Sequence, residues 1–261
     1  MAGAYSTGFD AHTHLDDPAF DGDRAEVCAR ARAAGVTDFA IAGADPAHWD
    51  RVVRVAAEIG AVATLGLHPW WAGDLSETAI DGIVARLAGA LGSTGLGECG
   101  LDHHRARDEG ARARQRHALR AQLALARERD VPVILHCVRA HGALLAILRA
   151  DGIPAAGGFV HAWAGPPDLV QPFLALGLDL SFGSLVARPG AKRARASVVR
   201  VPADRLLLET DAPDQPLPGR TRGEPADVVA IATEAATLRG EDPRALLGLA
   251  GDNARRQWGR P

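Results

Sequence analysis

Lysine is almost missing from this chain: of 29 basic residues only Lys192 is not arginine. A mechanism built on a Schiff-base or carbamylated lysine therefore has one candidate residue, and it falls in a segment expected to be helical. Cysteine is scarce as well. Cys28, Cys99 and Cys137 are odd in number and have no framework or Cys-x-x-Cys spacing, which excludes a disulfide scaffold and fits a reducing cytoplasm. No Gly-x-Ser-x-Gly elbow is present, and no apolar run reaches about 18 residues. Met1–Tyr5 has no basic stretch leading into an apolar core, so neither a membrane span nor a leader is expected. A net charge of −3 gives no global basic field, so an anionic substrate must be held by a local site and by metal.

What is there is a regular alternation. Short apolar runs near 8–12, 36–43, 61–66, 93–98, 131–136, 157–161, 178–182 and 205–210 read as strands. Amphipathic segments near 22–34, 46–59, 76–91, 111–130, 139–150, 167–176, 189–200, 225–239 and 243–257 read as helices. Such alternation argues for right-handed βαβ units and a parallel sheet. Eight units in this length fit a (β/α)8 TIM barrel, a single domain over residues 1–261. The rival doubly wound sheet wants a Gly-x-Gly-x-x-Gly turn after its first strand, where this chain has His-Thr-His-Leu-Asp-Asp. Asp45-Pro46 puts proline at an expected first helical position, and Ser76 is expected to open the next helix. The Pro- and Gly-rich stretch 212–224 is expected to be a long loop.

Four histidines and two carboxylates stand at the ends of these runs: His12, His14, Glu98, His136, His161 and Asp211. At the C-terminal rim of a barrel all six converge, an arrangement suited to a pair of divalent cations. His12 and His14, two apart, share one side of a strand. Buried together beside Asp10, Asp16 and Asp17, they are costly without metal. Glycines on both sides of Glu98 let the backbone crowd close, and a carboxylate there can bridge two cations. Glu209 and Asp211 repeat the two-residue spacing, and two such acids repel unless a cation lies between them or one keeps its proton. Asp211 is expected to bind metal and accept a proton. Glu209 is expected to orient a ligand histidine, bind a further cation or contact substrate.

His68, in Gly66-Leu67-His68-Pro69-Trp70-Trp71, ends the third run and is expected either to contact a substrate phosphate or to support its loop. Trp70 and Trp71 either stack a base or pack under the barrel lip, the second being favoured. His48, His117 and His141 are expected to face solvent from helices, and His103 and His104 to lie in a loop. Cys99 and Cys137 each follow a ligand position and should point into the barrel–helix layer, inert. Lys192-Arg193-Ala194-Arg195 reads as a solvated helix face or as the edge of a nucleic-acid groove.

The blocks Asp10-Ala11-His12-Thr13-His14-Leu15, Gly66-Leu67-His68-Pro69, Gly97-Glu98-Cys99-Gly100-Leu101-Asp102, Pro132-Val133-Ile134-Leu135-His136-Cys137, Val160-His161 and Leu208-Glu209-Thr210-Asp211-Ala212-Pro213, in this order, resemble the TatD family of metal-dependent deoxyribonucleases, within the amidohydrolase-like barrels. The resemblance implies that His12, His14, Glu98 and Asp211 hold one metal and that Glu98, His136 and His161 hold a second. It also implies a divalent-metal phosphodiesterase, often acting on DNA from a 3′ end. Three places depart from the family pattern. Val138 stands where an arginine is common, with Arg139 one place on. Trp163 and Ala164-Gly165-Pro166 replace a usual Phe and Ser, and Arg222-Gly223-Glu224-Pro225 replaces Arg-Asn-Glu-Pro.

The resulting expectation is a two-metal hydrolase, with Zn2+, Mn2+ or Mg2+ and a histidine-heavy ligand set that leans toward the first two. Glu98 bridges, the cations acidify a water and clamp phosphoryl oxygens, and Asp211 takes the proton. The expected catalytic residues are Asp211 and Glu98; His68 and Glu209 are the expected substrate-binding residues. DNA or another phosphodiester is the expected substrate, without a membrane or obligate protein partner. Two rivals remain at this point: an amide, lactone or phosphotriester hydrolase on the same barrel, and a metal-stabilised binding module without activity.

Overall fold

The structure, a computed structural model, describes residues 6–91 and 95–259. Eight strands form one sheet in chain order: β1 (Gly8–Thr13), β2 (Val36–Gly43), β3 (Val62–Leu65), β4 (Leu96–Asp102), β5 (Val133–Val138), β6 (Gly158–Val160), β7 (Asp179–Phe182) and β8 (Leu206–Leu208). Each neighbouring pair is parallel. Ten helices connect and cover them among the described residues: α1 (Arg24–Ala33), α2 (Trp49–Ile59), α3 (Pro69–Ala72), α4 (Glu77–Ala90), α5 (Glu109–Arg129), α6 (His141–Asp151), α7 (Val170–Leu174), α8 (Lys192–Val198), α9 (Val228–Arg239) and α10 (Pro243–Gln257). This is the expected (β/α)8 barrel. No helix among the described residues is long and apolar enough to cross a membrane.

Two apolar layers follow from the period-2 alternation of the strands. Phe39, Ile41, Val133, Leu135, Val160, Leu206 and Leu208 point outward into the large core beneath the helices. Phe9, Ala11, Ala40, Ala42, Val62, Ile134, Phe159 and Leu207 fill the barrel interior. Two residues beyond Ile134, Phe159 and Leu207 stand His136, His161 and Glu209. Polar side chains thus form the next interior layer, toward the C-terminal rim.

No ladder joins β8 to β1 among the described residues; the seam is closed instead by a carboxylate. The backbone N–H and the hydroxyl of Thr210 both donate to Asp10, at 2.9 and 2.5 Å. Beyond it the Asp211 N–H donates to the His12 carbonyl at 3.0 Å, and the His14 N–H to the Ala212 carbonyl at 2.7 Å. Two metal-ligand candidates from opposite ends of the chain are therefore fastened side by side.

Several boundaries differ from expectation. The fourth strand was expected from 93, but 93 and 94 lie outside the described residues, and β4 runs on to Asp102. Glu98 accordingly sits inside the strand rather than at its end, where the β4–β5 register shifts between Leu96 and Cys99. The flanking glycines make this possible. Gly97 (φ 142°) and Gly100 (φ 148°) lie in a region that side chains disfavour, and a Cβ on Gly100 would sit 2.1 Å from the His136 carbonyl oxygen. β5 likewise continues two residues past His136. Pro46 does not start a helix: Asp45 accepts the Ala47 N–H at 2.8 Å, a local turn that postpones α2 to Trp49. Ser76 caps α4 as expected, its hydroxyl accepting the Ala79 N–H at 3.2 Å. The expected helices at 167–176 and 225–239 each begin as a 3-10 turn, Pro167–Leu169 and Pro225–Asp227. Residues 212–224 form a loop without regular structure.

Candidate metal centre and active-site cleft

Glu98 is the hub of the rim. Its Oε2 lies 3.3 Å from His12 Nε2 and 3.8 Å from His14 Nε2, and Asp211 Oδ1 lies 3.4 and 3.3 Å from the same two nitrogens. His12 Nε2 and His14 Nε2 are 3.4 Å apart. Donors bound at about 2.1 Å around one tetrahedral ion stand roughly 3.4 Å from each other, so this spacing is the one a single cation requires. The other oxygen, Oε1, collects a second set: His136 Nδ1 at 2.7 Å, His161 Nε2 at 2.8 Å and His68 Nε2 at 3.1 Å.

Tautomers sort these imidazoles, because a carbonyl or carboxylate oxygen only accepts. His14 Nδ1 donates to the Ala42 carbonyl at 3.0 Å, leaving the Nε2 lone pair for the cleft. His161 Nδ1 faces Glu209 Oε1 at 3.3 Å, and His136 Nε2 faces Asp102 Oδ2 at 3.4 Å. Both therefore turn a lone pair toward Glu98 and toward each other, 3.1 Å apart. Lone pairs so close to each other and to a carboxylate repel unless a cation or a proton lies among them, so the donor set fits a metal. His68 behaves differently. Its Nδ1 accepts the Trp70 N–H at 3.1 Å, capping α3, so Nε2 carries the hydrogen and donates to Glu98. Although His68, Glu98 and His136 are close enough to hold an ion, His68 in this tautomer is a donor and not a ligand.

The charges follow. Burial opposes ionisation of Glu98, yet His161, His68 and His12 outweigh it and hold the carboxyl well below the usual range. Asp211 is held low against burial by His12 and His14. Burial disfavours the His14 cation, but Asp211, Glu98 and Asp16 push its pKa up to about 10. His136 and His161 are raised in the same way, against burial, by Asp102 with Glu98 and by Glu98 with Glu209 respectively. His68 is instead pushed down to about 4, chiefly by burial, which keeps it neutral.

All six expected ligand residues meet at this rim. Glu209, grouped with the substrate-binding residues from sequence, is fully buried and absent from the cleft wall. It stands behind His161 and accepts the Ala162 N–H at 2.7 Å, and its Oε2 has no hydrogen-bond partner among the described residues. Asp102 had no assigned role in the sequence. Its Oδ2 accepts the Trp70 indole N–H at 2.6 Å and faces His136, while Oδ1 accepts the His104 and Arg105 N–H groups. Two buried glutamines on α5 support the site from behind. Gln122 brackets the Leu67 backbone with an acceptor and a donor, and Gln115 joins the Asp102 N–H to the Pro69 carbonyl. Together they fix the turns that carry His68 and Asp102.

The cleft above the hub has a volume of about 740 Å3, within the range of small-ligand sites. His141, expected in solvent, lines it, with its ring 5.1 Å edge-on to buried Trp163. His48 lines it too but is exposed, and His117 pairs with Asp81 at 2.7 Å outside it. Trp70 and Trp71 do not pack under the lip: α3 turns both outward, 43% and 46% exposed, on the cleft rim. Cys99 and Cys137 are buried in the barrel–helix layer, and burial pushes the Cys137 thiol up to about 12. The residues just past three strands, Arg139 (φ 54°), Ala162 (φ 45°) and Asp211 (φ 57°), hold left-handed backbone, the kind of strain that collects at functional rims.

Comparison with known proteins agrees with this geometry. Residues 9–259 match the model of the family described as TatD related DNase. The 3'-5' ssDNA/RNA exonuclease TatD of Pantoea vagans is 38% identical over 257 residues, covering 95% of this chain and 97% of its own. An uncharacterized metal-dependent hydrolase of Bacillus subtilis, YabD, is 32% identical over 252 residues with the same coverage. The crystal structure of the TatD homolog YJJV from Escherichia coli superposes with a TM-score of 0.86 at 30% identity, over 97% of this chain and 98% of that one. With its barrel, its histidine–carboxylate rim and near full-length similarity, the chain belongs to the TatD-related DNase family.

Proposed function

We propose that the chain, as one catalytic domain over residues 1–261, hydrolyses phosphodiester bonds of single-stranded nucleic acid from a 3′ end, using two divalent cations. The observation that carries this reading is the division of donors between the two oxygens of Glu98: His12, His14 and Asp211 on one, His136 and His161 on the other. A single structural ion would need only one of these sets. The imidazoles favour Zn2+ or Mn2+ over Mg2+. When bound, the cations supply Lewis acidity that acidifies water and neutralises phosphoryl oxygens. Asp211, held ionised, accepts the proton at a carboxylate oxygen and returns it to the leaving oxygen. His68 donates its Nε2–H to Glu98 and, once cations hold that carboxylate, is free to offer it to a phosphoryl oxygen. Asp102 and Glu209 hold the His136 and His161 rings in the ligand orientation. Three buried, unpaired cysteines suit a reducing cytoplasm.

The test is degradation of 3′-labelled single-stranded DNA by the purified protein with and without EDTA. Activity should vanish on chelation and return with Mn2+ or Zn2+. Hydrolysis of cyclic amides or lactones with no cleavage of phosphodiesters would instead favour a small-molecule hydrolase.

A second expectation concerns acidity. His14, His136 and His161 have raised pKa values in the cation-free protein, and ligation needs their neutral forms, so loading releases protons. The raised values stabilise the cation-free fold below the ordinary histidine pKa of 6.5, and that contribution is lost as pH climbs toward about 10. The rise in Tm on adding Zn2+ or Mn2+ should therefore be larger at pH 8 than at pH 6. Equal rises at both values would contradict ligation through these three imidazoles.

A further inference from the structure

The fold divides the basic segment at 192–195. Arg195 turns back to donate to the Val186 carbonyl and lies 3.9 Å from Glu234. Arg193 is exposed and lines the cleft. So does Arg139, which leaves β5 with left-handed backbone. Histidines aside, these are the basic side chains of the cleft wall. Four other arginines are tied to acids, Arg222 to Asp23, Arg30 to Glu224, Arg205 to Asp179 and Arg255 to Asp38, and several more, such as Arg86, Arg114 and Arg188, donate to backbone carbonyls away from the cleft. Among the described residues, Arg139 and Arg193 pair with no carboxylate.

The acids of the same cleft are not scattered around it. Asp16 and Asp17 follow β1, Asp45 follows β2 and Asp214 follows β8. Arg139 follows β5 and Arg193 sits on α8, after β7. In a barrel ordered β1 to β8, β1 and β5 stand across from each other. One edge of the cleft is therefore acidic and the opposite edge cationic, with Glu98 between them.

We propose that Arg139 and Arg193 dock two backbone phosphates next to the scissile one, one each. The strand then enters over the β5–β7 edge and ends against the acidic edge. This deepens the nucleolytic reading and rests on it. A strand laid right across the cleft would bring phosphates against Asp16, Asp17, Asp45 and Asp214, a like-charge juxtaposition that disfavours passage. A strand that stops at the centre meets only the two guanidiniums, whose planar forks match phosphate oxygens. The same charge division selects a chain end over an internal bond.

The test uses the Mn2+-loaded full-length protein and a nuclease-resistant, fluorescein-labelled phosphorothioate single strand, read by anisotropy across a salt series. Each of Arg139→Gln and Arg193→Gln should flatten the slope of log K against log salt by about 0.7. The double variant should weaken binding about tenfold at low salt. In turnover, the ratio of kcat/KM for an oligonucleotide to that for bis(p-nitrophenyl) phosphate should fall by a similar factor. Linear single strands should be degraded and circular ones spared by the unmodified protein. Unchanged slopes, an unchanged substrate ratio, or circles cut as fast as linear strands would each overturn the proposal. If the protein cleaves no phosphodiester but binding still depends on the arginine pair, the nucleolytic reading fails while the phosphate site stands.

Discussion

Glu98→Gln should abolish hydrolysis, with a loss on the order of a thousandfold or more in kcat, while the circular dichroism spectrum stays that of the native barrel. The substitution preserves the size and shape of the side chain. It removes the one anion on which His12, His14, His68, His136 and His161 all converge. The amide nitrogen cannot ligate, so one half of the donor array loses its shared oxygen. The barrel does not depend on that charge: the β4 backbone is held by its pairing with β5 and by Gln115. Metal content by mass spectrometry supplies the independent readout, and it should fall below that of the unmodified protein. Turnover comparable to the parent would remove Glu98 from the centre of the mechanism.

Asp211→Asn is the second large effect, expected at about a hundredfold to ten-thousandfold in kcat, the span usual for a lost proton acceptor. Asparagine is the right replacement here because residue 211 has φ 57°, which asparagine adopts more readily than alanine. Its amide can still accept from the Gln215 side chain, which donates to Asp211 at 2.5 Å. The donors on the Oε1 side of Glu98 are untouched, so this variant should keep more metal than Glu98→Gln while losing a comparable amount of turnover. A variant that loses metal and activity in strict proportion would make Asp211 a ligand alone, with no part in moving a proton.

The residues that build the rim were legible because strand chemistry is simple. A two-residue spacing of histidines or acids at the end of an apolar run has few explanations, and alternation alone placed the runs in a barrel. Other features needed the fold. Nothing local distinguishes Asp102 from any acid in a turn until β4 is set in register with β5, where Asp102 pairs with Val138, beside the strand that carries His136. Gln115 and Gln122 offered a signal that went unused. They stand on the apolar stripe of α5 with Ala118, Leu119, Leu123 and Ala126, all buried, and glutamine in such a stripe asks for a backbone partner. The outward turn of the two tryptophans is not legible in the sequence because α3 has only four residues, too few for periodicity to register. His141 was assigned to solvent from its helix, but α6 opens at that residue, and a first turn placed after a barrel strand faces the mouth.

The clasp between Asp10 and Thr210 spans 200 residues of sequence. A polypeptide emerging from the ribosome can lay down β1 through β7 and still lack the acid that His12 and His14 face across the seam. Such an incomplete product has no means of assembling the full set of donors, so the power to cut nucleic acid should arise only after synthesis has passed the last strand.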